Sequence, residues 1–178
     1  MPASVLDRPA TDDYAAYYHR YIELVPPGDL VAILEAQRDE LLALMAPISE
    51  AGAGHAYAPG KWTIREVIGH LTDTERVFAY RATAFSRGDA APLPGFDQDA
   101  WMPYGEYQKR PLPDVVGEWR AVRDATIALL RAMPAHGLAR RGVASDNPVT
   151  VLAALTMIPG HVEYHLRLFR ERYLPGVG

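Results

Sequence analysis

Three histidines have a spacing that suits a metal ion. His161 and His165 are four residues apart in a segment with helical hydrophobic periodicity, which places them one turn apart on one face. His70 lies in the middle of a second such segment, on the flank of its apolar stripe. All three side chains are therefore expected to point inward. Three imidazoles from facing helices would leave one coordination position for water or substrate.

The amino-acid composition limits which residues can be metal ligands at such a site. A divalent ion lowers the pKa of a bound water, polarises a carbonyl or stabilises a thiolate. The chain has no cysteine, so any metal must be held by His, Asp or Glu. Each histidine taken singly is also compatible with a hydrogen-bonded core residue, so a metal-free structural bundle stays open. His19, His55 and His136 lie outside the apolar stripes and are expected in loops or on the surface.

One carboxylate falls inside an apolar stripe. Glu75 lies between Leu71 and Phe78 on the core-facing side of the segment that carries His70. A core-facing carboxylate needs a partner. Glu75 is expected to pair with Arg81 or another arginine, to orient a histidine ligand, or to act as the general base of a catalytic site.

The elements that must position these residues are four helices. Thr63-Ile64-Arg65-Glu66 is a capping box, and Asp29 is a candidate N-cap. Pro159-Gly160 is expected to kink or break the last helix immediately before His161. No segment shows sustained strand alternation, so the sequence predicts an all-α protein of the four-helix bundle class. The predicted helices span approximately residues 29–46, 64–86, 113–133 and 149–173.

Two further segments carry unusual numbers of aromatic residues. Tyr14, Tyr17, Tyr18 and Tyr21 have helical spacing and are expected to pack on the bundle. The connection of residues 87–112 between the second and third helices is rich in Pro, Gly and aromatic residues. Its length and composition predict a binding loop that shapes an acceptor pocket, with Asp97 or Asp99 available for polar contacts.

The length and net charge of the chain indicate its domain number and exclude some kinds of partner. With 178 residues, the chain is expected to form a single domain, residues 1–178, with residues 1–27 as an N-terminal extension on the bundle. The formal net charge of −4 argues against nucleic acid as a partner. No apolar run reaches the length of a membrane span, and the first residues have no signal-peptide core. We therefore expect a cytoplasmic protein that does not bind membranes.

Three segments of the sequence resemble the DinB-like superfamily of small bacterial metal-binding four-helix bundles. The matching segments are KWTIREVIGHLTDTERVFAYRATAFSRGD, LPGFDQDAW and TVLAALTMIPGHVEYHLRLFRERY. The resemblance implies one divalent metal ion, zinc or nickel, on His70, His161 and His165, and a homodimer. Many relatives have adjacent histidines where this chain has Tyr164 before His165, and Tyr164 is expected to be a packing residue or to place its hydroxyl near the site.

The resemblance also implies a range of activities. They are thiol transfer with bacillithiol or mycothiol, isomerisation of maleylpyruvate, and metal-dependent hydrolysis. We therefore expect a metal-dependent enzyme that activates water or a low-molecular-weight thiol towards a small-molecule substrate, with Glu75 as its candidate catalytic carboxylate. The alternative is a non-catalytic, metal-stabilised bundle that binds a small molecule or a protein partner.

Overall fold

The computed structural model describes residues 5–6 and 8–177, and most of them are helical. Two pairs of short antiparallel strands accompany the helices. The elements in chain order are β1 (Val5–Leu6), α1 (His19–Ile22), β2 (Gly28–Asp29), α2 (Leu30–Met45), α3 (Glu50–Ala53), α4 (Ile64–Ser86), α5 (Gln98–Gly105), α6 (Leu112–Ala132), α7 (Ala135–Leu138), β3 (Arg141–Ala144), β4 (Asn147–Thr150) and α8 (Val151–Leu168).

The four long helices α2, α4, α6 and α8 form a closed bundle. Helix α4 packs against α6 and α8, and α2 packs against the same two helices from the other side. This arrangement confirms the predicted all-α four-helix bundle. No described helix is both long enough and apolar enough to cross a membrane.

Local signals set the helix starts. The Thr63 hydroxyl accepts a hydrogen bond from the Glu66 amide, and the Glu66 carboxylate accepts one from the Thr63 amide, so the capping box is formed. The Asp29 carboxylate likewise accepts from the Val31 amide at the start of α2. These two predicted helix starts are therefore confirmed.

The last helix differs from its prediction at both ends and in the middle. It begins at Val151, because residues 147–150 pair with β3 in a hairpin whose turn residues Ser145 and Asp146 have positive φ values of 51° and 61°. It then continues through Pro159 without a break. The Pro159 carbonyl accepts a hydrogen bond from Gln37 of α2, so a side chain from another helix anchors α8 at this point. After Leu168 the chain continues as a π-helix over Phe169–Tyr173.

The core has two apolar clusters with a polar layer between them. One cluster surrounds Phe85 and Leu155, and the other surrounds Trp119 and Phe169. Every long helix carries a residue of each cluster. The buried polar or charged side chains between the two clusters are Gln37 on α2, Thr72, Thr74 and Glu75 on α4, Arg123 and Thr126 on α6, and His161 on α8. His70 and His165 lie next to this layer, among residues of the second cluster.

The N-terminal segment packs on α8 at close range. Ile22 and Val25 are buried in the core, and the Tyr18 ring lies edge-on to Phe78. A Cβ atom on Gly160 would stand 2.3 Å from the Tyr21 carbonyl oxygen, so only glycine allows this approach. The predicted tyrosine packing is correct for three of the four rings. The exception is Tyr17, which is 60% exposed.

Candidate metal centre

Three histidines from two helices meet inside the bundle. His70 of α4 and His161 and His165 of α8 are only 3%, 8% and 8% exposed. One ring nitrogen from each lies within 4.8 Å of the other two. The Nε2 atoms of His70 and His161 are 3.0 Å apart. The prediction that these three side chains face inward is confirmed.

Aromatic neighbours hold the three rings in place. The Trp62 ring stands 4.8 Å from the His70 ring, and the Tyr21 ring stands edge-on to His161 at 5.4 Å. The ring of Tyr164 packs edge-on to His165. Tyr164 therefore packs as predicted, and Trp62 and Tyr21 add contacts that the histidine spacing did not indicate.

The environment keeps the three imidazoles neutral. Burial lowers the pKa of His70 to about 4. Burial, together with repulsion from His70, lowers the pKa of His165 to about 3. Burial and the other two rings hold the pKa of His161 well below its usual range. Neutral imidazole is the form that binds metal ions, so all three residues are ready to act as ligands near pH 7.

The chain itself leaves the cluster short of hydrogen bonds. The Nδ1 atom of His165 is buried and has no partner among the described residues. The Nδ1 atom of His70 has only a long contact of 3.4 Å with the Thr74 hydroxyl. Two zinc-bound nitrogens at the usual bond length and tetrahedral angle lie about 3.3 Å apart, close to the separation of His70 and His161. The residues present therefore fit a divalent ion.

No fourth protein ligand joins the histidines. Within residues 5–6 and 8–177, the group that could hold a metal ion contains His70, His161 and His165 and no carboxylate. His19, His55 and His136 lie outside this group, in agreement with the sequence analysis. A site of three ligands with a free position is typical of catalytic rather than structural metal centres.

Glu75 lies in a buried ion pair instead of against the histidines. Its two carboxylate oxygens accept hydrogen bonds from Nε and Nη2 of Arg123 at 2.8–3.1 Å. Arg123 Nη1 donates to the Gln37 side chain at 3.1 Å, and Gln37 donates to the Pro159 carbonyl at 2.9 Å. This network joins all four long helices and ends two residues before His161. The partner is Arg123 and not Arg81, which donates to Pro94 and Ser145.

Two cavities open beside the histidines. The polar cavity, of about 350 Å³, is lined by all three histidines together with Arg20, Lys61 and Asp99. The aromatic cavity, of about 320 Å³, includes His161 in its lining but neither of the other two histidines. Tyr17, Tyr21, Gln98 and His161 belong to both linings.

The long connection contributes to these cavities through one short part. Phe96, Asp97 and Gln98 line the aromatic cavity. Trp101 and Tyr104 line neither cavity and are exposed, and Tyr107 is buried against α4. No sequence pattern indicated that Arg20 and Lys61 line the polar cavity. They lie in separate segments, and the matching segment that starts at Lys61 does not show which of its side chains face the histidines.

The fold and the three buried histidines are those of a four-helix bundle with a candidate metal centre. The sequence matches the DinB superfamily over residues 33–169, and the chain belongs to this family. No curated protein matches the sequence.

Two solved structures share the fold. YfiT from Bacillus subtilis, described as a probable metal-dependent hydrolase with an unusual four-helix bundle topology, superposes with a TM-score of 0.70 at 19% identity. That match covers 79% of this chain and 84% of YfiT. A mycothiol-dependent maleylpyruvate isomerase superposes with a TM-score of 0.64 at 10% identity, over 80% of this chain and 60% of the isomerase. At these identities the similarity establishes the fold.

Proposed function

We propose that this protein is a divalent-metal-dependent enzyme that activates a low-molecular-weight thiol or water, as an S-transferase or a hydrolase. His70, His161 and His165 hold the ion, zinc or nickel. The observation that carries the proposal is a cluster of three buried, neutral imidazoles that opens into a cavity of about 350 Å³ without a fourth protein ligand.

The chain prepares this site in three ways. Burial keeps the imidazoles unprotonated, so binding an ion requires no loss of protons near neutral pH. Trp62 and Tyr21 fix the orientation of two rings through their packing. When bound, a divalent ion supplies Lewis-acid chemistry, which lowers the pKa of a water or thiol ligand and polarises a carbonyl.

The charges of the polar cavity favour a thiol over water. Arg20 and Lys61 line it together with the single carboxylate of Asp99, and neither cation forms an ion pair within the described part of the chain. With the histidines neutral, this lining carries a net positive charge, which attracts an anionic ligand such as a thiolate. The structurally similar maleylpyruvate isomerase is mycothiol-dependent, which is consistent with this preference.

Glu75 acts as a positioning residue in this proposal. Its carboxylate is saturated by Arg123 and lines neither cavity. Through Arg123 and Gln37 it anchors the Pro159 carbonyl, and this anchor fixes the turn of α8 that presents His161. We therefore propose that Glu75 sets the geometry of the ligands and does not act as the general base.

The proposal also covers the domain organisation, oligomeric state, location and partners of the protein. We propose one domain over residues 1–178 with residues 1–27 as its extension, a homodimer, a cytoplasmic location, and no nucleic-acid or membrane partner. The burial of Ile22 and Val25 against the bundle supports the view that the extension is part of the domain. Sedimentation velocity on the intact chain tests the dimer.

Metal content is the first experiment. Tag-free protein is purified without chelator, and its metal is measured by plasma mass spectrometry before and after titration with zinc and nickel. Wild type and the control His19→Ala are expected to bind about one equivalent, whereas His161→Ala loses it. Equal metal in all three proteins, or none in any of them after titration, would overturn the proposed site.

Turnover separates the enzyme from the alternative, a metal-stabilised binding module. The zinc and nickel forms are assayed for thiol conjugation with small electrophiles and for hydrolysis of esters and amides, again with His161→Ala as the comparison. Turnover that requires His161 supports the enzyme. Stoichiometric metal without turnover in any of these assays would favour the binding module.

A further inference from the structure

The aromatic cavity has no role in holding the ion. Its volume is about 320 Å³, and His70 and His165 do not line it. Its walls are rings from the N-terminal segment, from α4 and from the long connection, together with one methionine. The apolar side chains in its lining are Tyr17, Tyr18, Tyr21, Phe78, Phe96 and Met157.

The aromatic cavity is an open cleft with the size of a small-molecule site. Cavities of about 300–1,000 Å³ with mainly apolar walls and a few polar groups are typical of small-molecule sites. Thr74, Asp97 and Gln98 provide the polar groups here.

The cavity reaches the metal centre directly. His161 forms part of its wall, and Met157 lies one helical turn before His161 on α8. Thr74, which contacts His70, lies one turn after His70 on α4. A ligand in this cavity therefore borders the histidine cluster at His161 and does not contact Lys61, which lines only the polar cavity.

Charge restricts what the aromatic cavity accepts. No lysine or arginine is in its lining as the structure describes it, so an anion finds no counter-charge and faces the carboxylate of Asp97. A cation finds its two natural partners already engaged. The Asp97 carboxylate accepts hydrogen bonds from the Asp99 and Ala100 amides at the start of α5, and the Arg20 guanidinium lies 3.8 Å from the centre of the Tyr17 ring. The walls thus favour a neutral ligand that packs against aromatic rings.

We propose that the aromatic cavity is the acceptor subsite of the enzyme and binds a neutral, planar aromatic group next to His161. The co-substrate then enters through the polar cavity, which shares His161 with the aromatic cavity. This inference rests on the proposed function for the position of the ion and adds to it the chemical class of the acceptor.

Three probes built on the same aromatic ring system test the selectivity of the cavity. 2-Naphthol, 2-naphthoate and the 2-naphthyltrimethylammonium ion share one ring system and are neutral, anionic and cationic, respectively. Calorimetric titration of the zinc-loaded and metal-free proteins is expected to show the tightest binding for 2-naphthol in both forms. No binding of 2-naphthol, or tighter binding of either charged probe, would overturn the proposal.

A pair of aromatic variants from one segment tests the location. Phe96→Ala removes a wall of the cavity and is expected to weaken 2-naphthol binding by about fivefold or more. Tyr104→Ala is the matched control, because Tyr104 is 89% exposed and does not line the cavity. Equal affinity of both variants and the wild type would place the probe elsewhere. Thermal melting of each variant confirms that it is folded.

Paramagnetic broadening tests the distance to the histidines. When nickel replaces zinc, the proton resonances of bound 2-naphthol are expected to broaden, and at equal probe concentration Phe96→Ala reduces the effect in proportion to its weaker binding. Binding without broadening in a protein that contains nickel would contradict the subsite while leaving the metal centre intact. Absence of nickel from the protein would contradict the proposed function instead, so the two failures are distinguishable.

Discussion

Two groups of buried polar side chains lie inside the bundle and differ in how their hydrogen-bonding groups are satisfied. Both carboxylate oxygens of Glu75 accept hydrogen bonds from Arg123, which also donates to Gln37. The histidine cluster, by contrast, has one contact between His70 and His161 and an Nδ1 atom on His165 without a partner in the described chain. The first group completes its bonding within the protein, and the second does not.

This difference indicates which group has a ligand to bind. A buried polar atom without a partner costs about 1–3 kcal/mol, whereas the charges of a buried ion pair compensate each other until one member is removed. The Glu75 network therefore satisfies its own charges where the four helices meet. The histidines border two cavities, and an ion there would satisfy nitrogens that the chain leaves free.

The largest expected effect comes from breaking the ion pair. Arg123→Met leaves the Glu75 carboxylate buried and uncompensated, so the metal-free protein is expected to lose about 3–5 kcal/mol in its free energy of unfolding. Urea denaturation measures this loss. Arg131→Met, which breaks the exposed pair with Glu35, serves as the control and is expected to change stability by less than about 1 kcal/mol.

The double variant Glu75→Leu/Arg123→Met is expected to recover much of that loss, because no charge then remains buried. A double variant as unstable as Arg123→Met alone would contradict the explanation. If Glu75 positions His161 through this network, Arg123→Met also weakens zinc binding, by about 10-fold or more.

The histidine cluster is expected to respond in the opposite way. His165→Leu removes a polar ring with an unsatisfied nitrogen, so the metal-free protein should retain its stability or gain some. Free zinc at about 100 times its Kd is expected to stabilise the wild type by about 2.7 kcal/mol and to leave His165→Leu unchanged. Thermal and urea unfolding with and without zinc measure both effects. A metal-free His165→Leu protein as unstable as Arg123→Met would remove the distinction between the two groups.

A smaller effect on the free energy of unfolding is expected for a substitution at the contact between the N-terminal segment and α8. Gly160→Ala places a Cβ atom 2.3 Å from the Tyr21 carbonyl, so the segment must shift, at a cost of about 1–3 kcal/mol. Gly117→Ala in α6 is the matched control, because its Cβ meets no atom within 4 Å and gains about 1 kcal/mol of helix propensity. Urea unfolding compares the two variants. Equal stabilisation of both would contradict the close approach.

The smallest expected effect is the pH dependence of zinc affinity. Because the pKa of His70 is about 4 and that of His165 about 3, protons do not compete with zinc until the pH falls to about 4. Zinc affinity should change by less than about threefold between pH 7 and 5, whereas each histidine with an ordinary pKa would reduce it by about 30-fold at pH 5. Calorimetric titration at both pH values measures the change. A loss of more than about 30-fold would show that the imidazoles titrate near their ordinary pKa.

Lowering the pH should also destabilise the metal-free protein. In the unfolded chain the histidines regain their ordinary pKa near 6.5 and take up protons that the folded protein excludes. Stability should therefore fall as the pH is lowered below about 6.5, and less steeply for His165→Leu than for the wild type.

The all-α class of the fold and the inward orientation of the three histidines were predictable from the sequence. The capping box at Thr63 fixed the start of α4, and the spacing of His161 and His165 placed both on one buried face. The start of α8 was wrong by two residues, because pairing between β3 and β4 captures Val149 and Thr150. The expected break at Pro159 was wrong as well, because the helix continues and Gln37 bonds its carbonyl.

The sequence by itself determined which side chains share a helix face, because hydrophobic periodicity and capping act over a few residues. Only the tertiary structure decided which faces meet. It paired Glu75 with Arg123, 48 positions along the chain, and placed Arg20, Lys61 and Phe96 around the histidines. Contacts between distant segments depend on how four helices and two connections pack together, and no local pattern encodes that packing.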